Sequence, residues 1–183
     1  MEVKPEVMHL MILDKCDKDC EYCCNKLYDI DKIPVATVEE LKQVHTVCIT
    51  GGEPFFSDID ISSLALYIKG SYPNVKSVYV YTSGMALSAK VQHIASFLDG
   101  INIAPKSAVD WRCLEMIAEH YGHAKRVAAL KSNRLYVFRD QIPMYNKYKS
   151  VAEKLNLEVI YRKWDKKFNT PSNEIFRRVP IFI

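Results

Sequence analysis

The sequence of 183 residues contains little glycine and proline, 6 and 8 residues respectively. It has no internal repeat, low-complexity tract or linker rich in small residues, so we place no domain boundary between residues 1 and 183. No run approaches the roughly 18 apolar residues of a membrane-spanning helix. The acidic first residues, 1–6, lack the basic and apolar regions of a signal peptide. We therefore expect one folded cytoplasmic domain without a membrane partner.

Charge is distributed unevenly along the chain. Residues 1–124 carry 11 basic and 17 acidic side chains, whereas residues 125–183 carry 14 basic and 5 acidic ones. The basic end favours an anionic partner. Lysine and arginine that solvate the outer faces of helices would give the same pattern, and the two interpretations have equal weight.

Short apolar runs alternate with amphipathic segments. The runs predict strands at residues 7–13, 44–50, 77–82, 101–104, 134–139 and 157–161. The segments between them predict helices at residues 37–43, 59–69, 88–98, 107–121 and 141–155. This alternation predicts parallel βα units, arranged either as part of a barrel or as an open doubly wound sheet. In both layouts the functional residues lie beyond the carboxyl ends of the strands.

The cysteines are concentrated directly after the first predicted strand. Four of the six fall within nine residues: Cys16, Cys20, Cys23 and Cys24. They are too crowded for ordinary loop-closing disulfides, so we expect metal or redox chemistry. The CxxxCxxC spacing allows three thiolates to bind an iron–sulfur cluster and to leave one iron open. The alternative is a zinc ion bound by three cysteines and either His9 or His45.

The turns after the next three predicted strands are rich in polar groups. The second strand is followed by Gly51-Gly52-Glu53-Pro54, the third ends in Thr82-Ser83-Gly84, and the fourth is followed by Pro105-Lys106. Glycines allow close backbone approach, and an acid between glycine and proline suits a cationic ligand group. Parallel strands would bring all these turns to one edge of the sheet.

Together these motifs resemble those of the radical S-adenosylmethionine enzymes. The matching features are the cysteine motif with Tyr22 before its last cysteine, the GGEP turn, and the two later turns, over residues 7–161. The resemblance implies a partial TIM-like (β/α)6 barrel with outer helices and a C-terminal extension at residues 162–183. It also implies a [4Fe-4S] cluster bound by Cys16, Cys20 and Cys23. The open iron would bind the amino and carboxylate groups of S-adenosylmethionine.

The resemblance also implies roles for residues around the cofactor. The methionine amino group would bind Gly51, Gly52 and Glu53, with Tyr22 near the adenine. Ser83 and Lys106 would contact ribose or carboxylate, and the backbone of Val137 and Phe138 would contact adenine. An electron donor such as flavodoxin or ferredoxin would reduce the cluster. Cleavage of the cofactor would then give a 5′-deoxyadenosyl radical that abstracts hydrogen from a substrate.

Two small branches of this superfamily are the carboxydeazaguanine synthases and the glycyl-radical activases. The later turns look more like the former, but that branch has Asp-Thr after the third cysteine, which helps to hold magnesium. This chain has Cys24-Asn25, which leaves the magnesium site and the substrate open. The asparagine is similar to the activases, whose glycine- and arginine-containing segment is not visible before Cys16.

The ends of the last two predicted strands suggest a substrate class. They carry Arg139-Asp140 and Tyr161-Arg162-Lys163-Trp164. Arginine forms a fork that matches carboxylate or phosphate, and tryptophan offers a stacking surface. We predict an anionic, ring-containing small molecule, such as a deazapurine or nucleotide precursor, rather than nucleic acid, with Arg139 and Arg162 as anchors. These residues could equally hold only the cofactor's carboxylate or the tail around Phe176-Arg177-Arg178. An activase and a non-catalytic zinc or iron–sulfur module are the functional alternatives.

Overall fold

Parallel strands form one sheet in the computed structural model, which describes residues 5–21, 23–26, 30–164 and 170–179. The strands within this part of the chain are β1 (Val7–Met11), β2 (Thr46–Thr50), β3 (Ser77–Thr82), β4 (Gly100–Ile103), β5 (Asn133–Phe138), β6 (Leu157–Arg162) and β7 (Glu174–Arg178). All of the strand pairs are parallel, which confirms the predicted α/β class.

Helices connect most of these strands. They are α1 (Val38–Leu41), α2 (Ile61–Ser71), α3 (Met85–Lys90), α4 (Ala108–Glu119), α5 (Tyr121–Ala128), α6 (Ile142–Lys147) and α7 (Lys149–Lys154). Side-chain caps explain where three of them begin. Asp60 caps α2, and reciprocal capping boxes start α1 at Thr37 and α4 at Ser107. None of the helices in the described residues combines the length and apolar character needed to cross a membrane.

The strand order in the sheet is β6-β5-β4-β3-β2-β1-β7. From β1 to β6, each strand lies beside the one that precedes it in the chain. Right-handed crossovers in such a series place the connecting helices on one face of the sheet. β7 then pairs with the free edge of β1, in the register that sets Val7 opposite Glu174.

The two faces of the sheet differ sharply in chemistry. One face packs against the helices through fully buried residues such as Val80, Ile101 and Leu135, and this layer contains the hydrophobic core. The opposite face, which we call the inner face, is richer in polar and aromatic side chains. Strand register and alternation place these residues on it: His9, Cys48, Tyr81, Asn102, Arg134, Tyr136, Phe138, Arg162, Glu174 and Phe176.

The predicted and observed elements differ in four places. The first six strands lie within two residues of their predicted ends, but β7 was not predicted and adds residues of the C-terminal extension to the sheet. Helix α5 was also not predicted. The predicted helix at 88–98 instead begins at Met85, after Gly84 at a positive φ of 115°, and ends at Lys90, followed by a 3-10 turn at Val91–His93. The predicted helix at 141–155 is two helices that meet at Tyr148.

Candidate functional site

The cysteine loop, which we define as residues 12–26, contacts the turn after β2. The backbone amide of Gly52 donates to the Leu13 carbonyl at 2.9 Å, and that of Glu53 donates to the Lys15 carbonyl at 2.8 Å. A Cβ atom at Gly52 would lie 1.9 Å from the Lys15 oxygen. Gly51 has a φ of +131°, and a Cβ atom there would lie 2.1 Å from the Leu13 oxygen. The close approach of the loop therefore requires both glycines.

These contacts add a structural role to the predicted one for Gly51 and Gly52. The Gly52 amide already has a partner in the cysteine loop, and the Gly51 carbonyl accepts a hydrogen bond from Asn25 Nδ2 at 3.2 Å. Asn25 was not among the residues predicted for the site. Its position two residues after Cys23 was the available signal, since it places the side chain at the end of the cysteine motif.

Glu53 and Ser83, predicted from separate turns, are in direct contact. Glu53 is 1% exposed, and its Oε2 accepts hydrogen bonds from the amide and hydroxyl of Ser83 at 2.8 and 3.0 Å. Its Oε1 accepts from the Phe55 amide at 3.4 Å. Burial raises the pKa of the Glu53 carboxyl above its ordinary value, although bonds from Ser83 and Thr82 act in the opposite direction. A cationic ligand group would offset the cost of this buried charge.

The three predicted cluster ligands lie on the cysteine loop. Cys16 is exposed, Cys20 and Cys23 are half-buried, and the Cys23 amide donates to the Cys20 carbonyl at 3.3 Å. Burial raises the pKa of Cys16 and Cys20, while the charge of Lys106 acts to lower that of Cys20. The residues that the structure describes contain no group of three His, Cys, Asp or Glu side chains placed to hold a metal ion. Metal ligation by these cysteines stays a prediction.

Two residues near this motif fall outside what the structure describes. Tyr22, predicted to lie near the adenine, is outside the described residues, and so is the side chain of Cys24.

Lys106 lies between the cysteine loop and an aromatic pair. Its Nζ is 3.6 Å from the centroid of the Phe138 ring and 4.2 Å from that of Trp164. The two rings stack at 4.1 Å, and Trp164 Nε1 donates to Asp140 Oδ1 at 3.0 Å. Burial lowers the pKa of Lys106 to about 8, opposed by the charges of Cys20 and Asp140. The lysine is thus a cation at the mouth where the cysteines lie.

The remaining predicted site residues have different surroundings. Val137 is fully buried on the core side of β5. Phe138 faces Lys106 through its ring, a contact that the backbone role predicted for it did not include. Arg162 lies on the inner face with its guanidinium 5.2 Å from the centroid of the Tyr136 ring. Arg139 is exposed at the start of a short 3-10 helix, Arg139–Gln141.

An ion pair that sequence analysis missed anchors the cysteine loop to α4. Lys18 Nζ lies 3.2 Å from Asp110 Oδ1, and Asp110 is 0% exposed. The other oxygen, Oδ2, accepts hydrogen bonds from the Lys106 amide and from the amide and hydroxyl of Ser107, at 2.9–3.0 Å. The Ser-x-x-Asp spacing was a signal for the helix cap, but nothing local connected Asp110 to Lys18.

Among the residues that the structure describes, neither histidine considered for a zinc site stands in a metal-binding group with the cysteines. His45 immediately precedes β2, at the edge of the sheet opposite the cysteine loop. His9 lies within β1, and its Nε2 is 2.8 Å from Glu174 Oε2. Burial lowers the pKa of His9 despite this carboxylate.

Comparison with models of known protein families gives no match, and comparison with curated proteins gives none either. The function is therefore inferred from the chemistry of this edge of the sheet. There, three thiols, a buried carboxylate and a partly buried ammonium group lie on neighbouring turns.

Proposed function

We propose that this chain is a radical S-adenosylmethionine enzyme whose [4Fe-4S] cluster is bound by Cys16, Cys20 and Cys23. The observation that carries the proposal is the direct contact between the cysteine loop and the Gly51–Glu53 turn. The sequence separates these two motifs, yet backbone bonds from Gly52 and Glu53 hold the loop in place. The consecutive order of β1 to β6 is also what a partial (β/α)6 barrel requires.

The donor set suits an iron–sulfur cluster. Thiolates are the ligands of such clusters, and three leave one iron for another ligand. Burial raises the pKa of the Cys20 thiol, and the cations Lys106, Lys18 and Lys26 act in the opposite direction. Nearby cations favour the thiolate, which is the form that binds metal.

The neighbouring turns suit the amino-acid part of the cofactor. Bound together, the cluster and S-adenosylmethionine would supply reductive cleavage of the sulfonium and hydrogen abstraction from a substrate. Glu53 would pair its buried carboxylate with the ammonium group, and Ser83 keeps that carboxylate oriented through two hydrogen bonds. Lys106 would pair with a carboxylate, because its ammonium group is held at the same mouth by Phe138 and Trp164. These two roles agree with the charges of the amino-acid part of the cofactor, which has one ammonium group and one carboxylate.

Anaerobic reconstitution with iron and sulfide tests the proposal. The protein should bind about four irons per chain, as a [4Fe-4S] cluster does. With S-adenosylmethionine and either dithionite or reduced flavodoxin it should release 5′-deoxyadenosine. Alanine at Cys16, Cys20 or Cys23 should abolish both properties. Cys113→Ala is the matched control, since Cys113 is a half-buried thiol within α4.

Two other results would favour the alternative functions. Protein that takes up zinc in place of iron, stays colourless and leaves S-adenosylmethionine intact would favour the non-catalytic metal module. Cleavage that depends on a partner protein, with a glycyl radical formed on that partner, would identify an activase instead of an enzyme for small molecules.

A further inference from the structure

Aromatic rings extend across most of the inner face of the sheet. The Arg162 guanidinium covers the Tyr136 ring at 5.2 Å, and Tyr136 lies parallel to Tyr81, with centroids 6.3 Å apart and planes at 9°. Tyr81 is 6.1 Å from His9, which stacks on Phe176 at 4.4 Å. These residues come from β6, β5, β3, β1 and β7. We call this row the ring floor.

Polar contacts fix the orientation of the ring floor. Glu174 bonds to His9 Nε2 at 2.8 Å, and the same histidine stacks almost parallel to Phe176, at 4°. Burial raises the pKa of the Tyr81 hydroxyl, and the neighbouring Tyr136 side chain acts in the same direction. Tyr136 is 9% exposed, His9, Tyr81 and Phe176 are half-buried, and Arg162 is exposed. Rings held in this way present a preorganised surface for stacking.

Asn102 on β4 supplies an unmet hydrogen-bond acceptor within the ring floor. Strand register sets it opposite Tyr81 on β3 and Arg134 on β5, on the inner face. The residue is 1% exposed, and its Oδ1 is buried without a hydrogen-bond partner in the described part of the chain. Buried carbonyl oxygens almost always have a donor, so this atom indicates a missing N–H or O–H group.

The ring floor leads directly to the mouth where we place the cofactor. Phe138 follows Tyr136 by two residues on the same face of β5, and its ring contacts Lys106. Two residues of a strand span about 7 Å. A molecule on Tyr81 and Tyr136 would therefore lie beside the cysteine-loop edge of the sheet.

We propose that the ring floor binds the substrate, and that this substrate is a planar nitrogen heterocycle with an anionic substituent. The ring stacks on Tyr81 and Tyr136, a ring N–H donates to Asn102 Oδ1, and Arg162 pairs with the carboxylate or phosphate. This assignment rests on the proposed function, since the heterocycle would donate the hydrogen atom that the 5′-deoxyadenosyl radical abstracts. It assigns the anion to Arg162 because Arg134, which shares the inner face, already lies 3.5 Å from Glu158 Oε2.

Binding of simple probes tests each contact separately. Orotate has a planar ring, N–H donors and a carboxylate; uracil lacks the carboxylate, and benzoate lacks the N–H donors. Guanosine monophosphate extends the set to a bicyclic ring with a phosphate. Calorimetric titration of anaerobic protein, with and without S-adenosylmethionine, should show binding of orotate or guanosine monophosphate and weaker binding of uracil and benzoate.

Variants then identify the residues responsible. Asn102→Leu should weaken the binding of orotate at least tenfold and leave the affinity for benzoate unchanged, because only orotate can donate a hydrogen bond to Asn102 Oδ1. Arg162→Gln should weaken the binding of orotate and benzoate, which carry a carboxylate, but not the binding of uracil. Tyr67→Leu and Arg112→Gln are matched controls on the exposed faces of α2 and α4 and should change nothing. If Asn102→Leu fails to fold, Arg162→Gln and Tyr136→Leu carry the test.

The outcomes separate this inference from the proposed function. One outcome is that protein which cleaves S-adenosylmethionine binds neither orotate nor guanosine monophosphate. That result would overturn the ring floor as a substrate site, but it would leave the proposed enzyme class intact. Equal loss of benzoate and orotate in Asn102→Leu also overturns it. If the probes bind with the expected effects of the variants but the protein takes up no iron, the result supports the ring floor as a binding site and contradicts the proposed radical chemistry. Stimulation of cleavage by a glycine-containing peptide alone would favour the activase.

Discussion

The backbone amide of Glu53 donates to the carbonyl oxygen of Lys15 at 2.8 Å. This bond joins the turn after β2 to the loop that carries the cysteines. The neighbouring residue, Gly52, has no side chain, and any Cβ atom there would lie 1.9 Å from the Lys15 oxygen, too close for the loop to keep its position. The placement of the cysteines therefore depends on a glycine in a different motif.

Gly52→Ala should displace the cysteine loop without unfolding the sheet. The new Cβ atom would lie 1.9 Å from the Lys15 oxygen, which is backbone and cannot rotate away. We expect reconstituted protein to hold much less iron and to lose cofactor cleavage, with a small loss of thermal stability. Iron analysis and a melting curve measure the two effects.

Gly70→Ala is the control for that substitution. Gly70 lies in α2, and a Cβ atom there would have no heavy atom within 4 Å. Alanine in a helix is favoured over glycine by about 0.8–1 kcal/mol, so this variant should be at least as stable as the parent and keep its iron. Equal iron loss in both variants would show that the contact with Lys15 is not what positions the loop.

The first six strands and the polar turns were predictable because each has a local signal. Residues such as those of β3 alternate in burial along a short apolar run, and Gly51-Gly52 stands directly after such a run. β7 has the sequence EIFRR and all of its residues are half-buried, so it carries no such alternation. Its place in the sheet comes from pairing with β1, which is distant in the chain.

The candidate site was predictable only in part for the same reason. Glu53, Ser83 and Lys106 stand at strand ends, where parallel topology alone brings residues together. The ion pair of Lys18 with Asp110 and the stacking of His9 on Phe176 are side-chain contacts between elements far apart in sequence. No periodicity or spacing encodes them, since they depend on how the loop and β7 pack.

Removal of the Lys18 charge should destabilise the protein through Asp110. The Asp110 carboxylate is fully buried, and its Oδ1 has the Lys18 ammonium group as counter-charge. In a double-mutant cycle of Lys18→Met and Asp110→Asn, we expect a coupling energy of about 0.5–3 kcal/mol in the free energy of unfolding. Lys26→Met is the control, because Lys26 pairs with the exposed Asp19. Additive effects of the two substitutions would contradict an energetic link between loop and helix.

Asp99 should make stability depend on pH in the acid range. It is 2% exposed and lies 2.6 Å from Lys69 Nζ and 2.9 Å from Lys131 Nζ. Burial opposes its charge, but these cations and the Val78 amide outweigh burial and hold the pKa of Asp99 below its ordinary value. Its stabilising contribution is therefore present above the ordinary pKa and lost as pH falls through the lowered one.

Asp99→Asn tests that assignment through denaturant unfolding at several pH values. The variant should lose about 1–3 kcal/mol of unfolding free energy at neutral pH, and the difference from the parent should shrink in acid. Glu119→Gln removes the exposed partner of Lys154 and should cost little at any pH. A difference for Asp99→Asn that is constant with pH would mean that its carboxyl is not the titrating group.

Lys106→Met should weaken binding of S-adenosylmethionine while the protein keeps its iron. The ammonium group is held against Phe138 and Trp164, and methionine preserves the apolar contact but removes the charge. Loss of a charge-assisted contact costs about 1.5–3 kcal/mol of binding free energy. Calorimetric titration should therefore give an affinity lower by roughly tenfold or more. Lys131→Met, an exposed lysine remote from the cysteine loop, should bind the cofactor normally. Unchanged affinity in Lys106→Met, with iron content equal to the parent, would remove this lysine from the cofactor site.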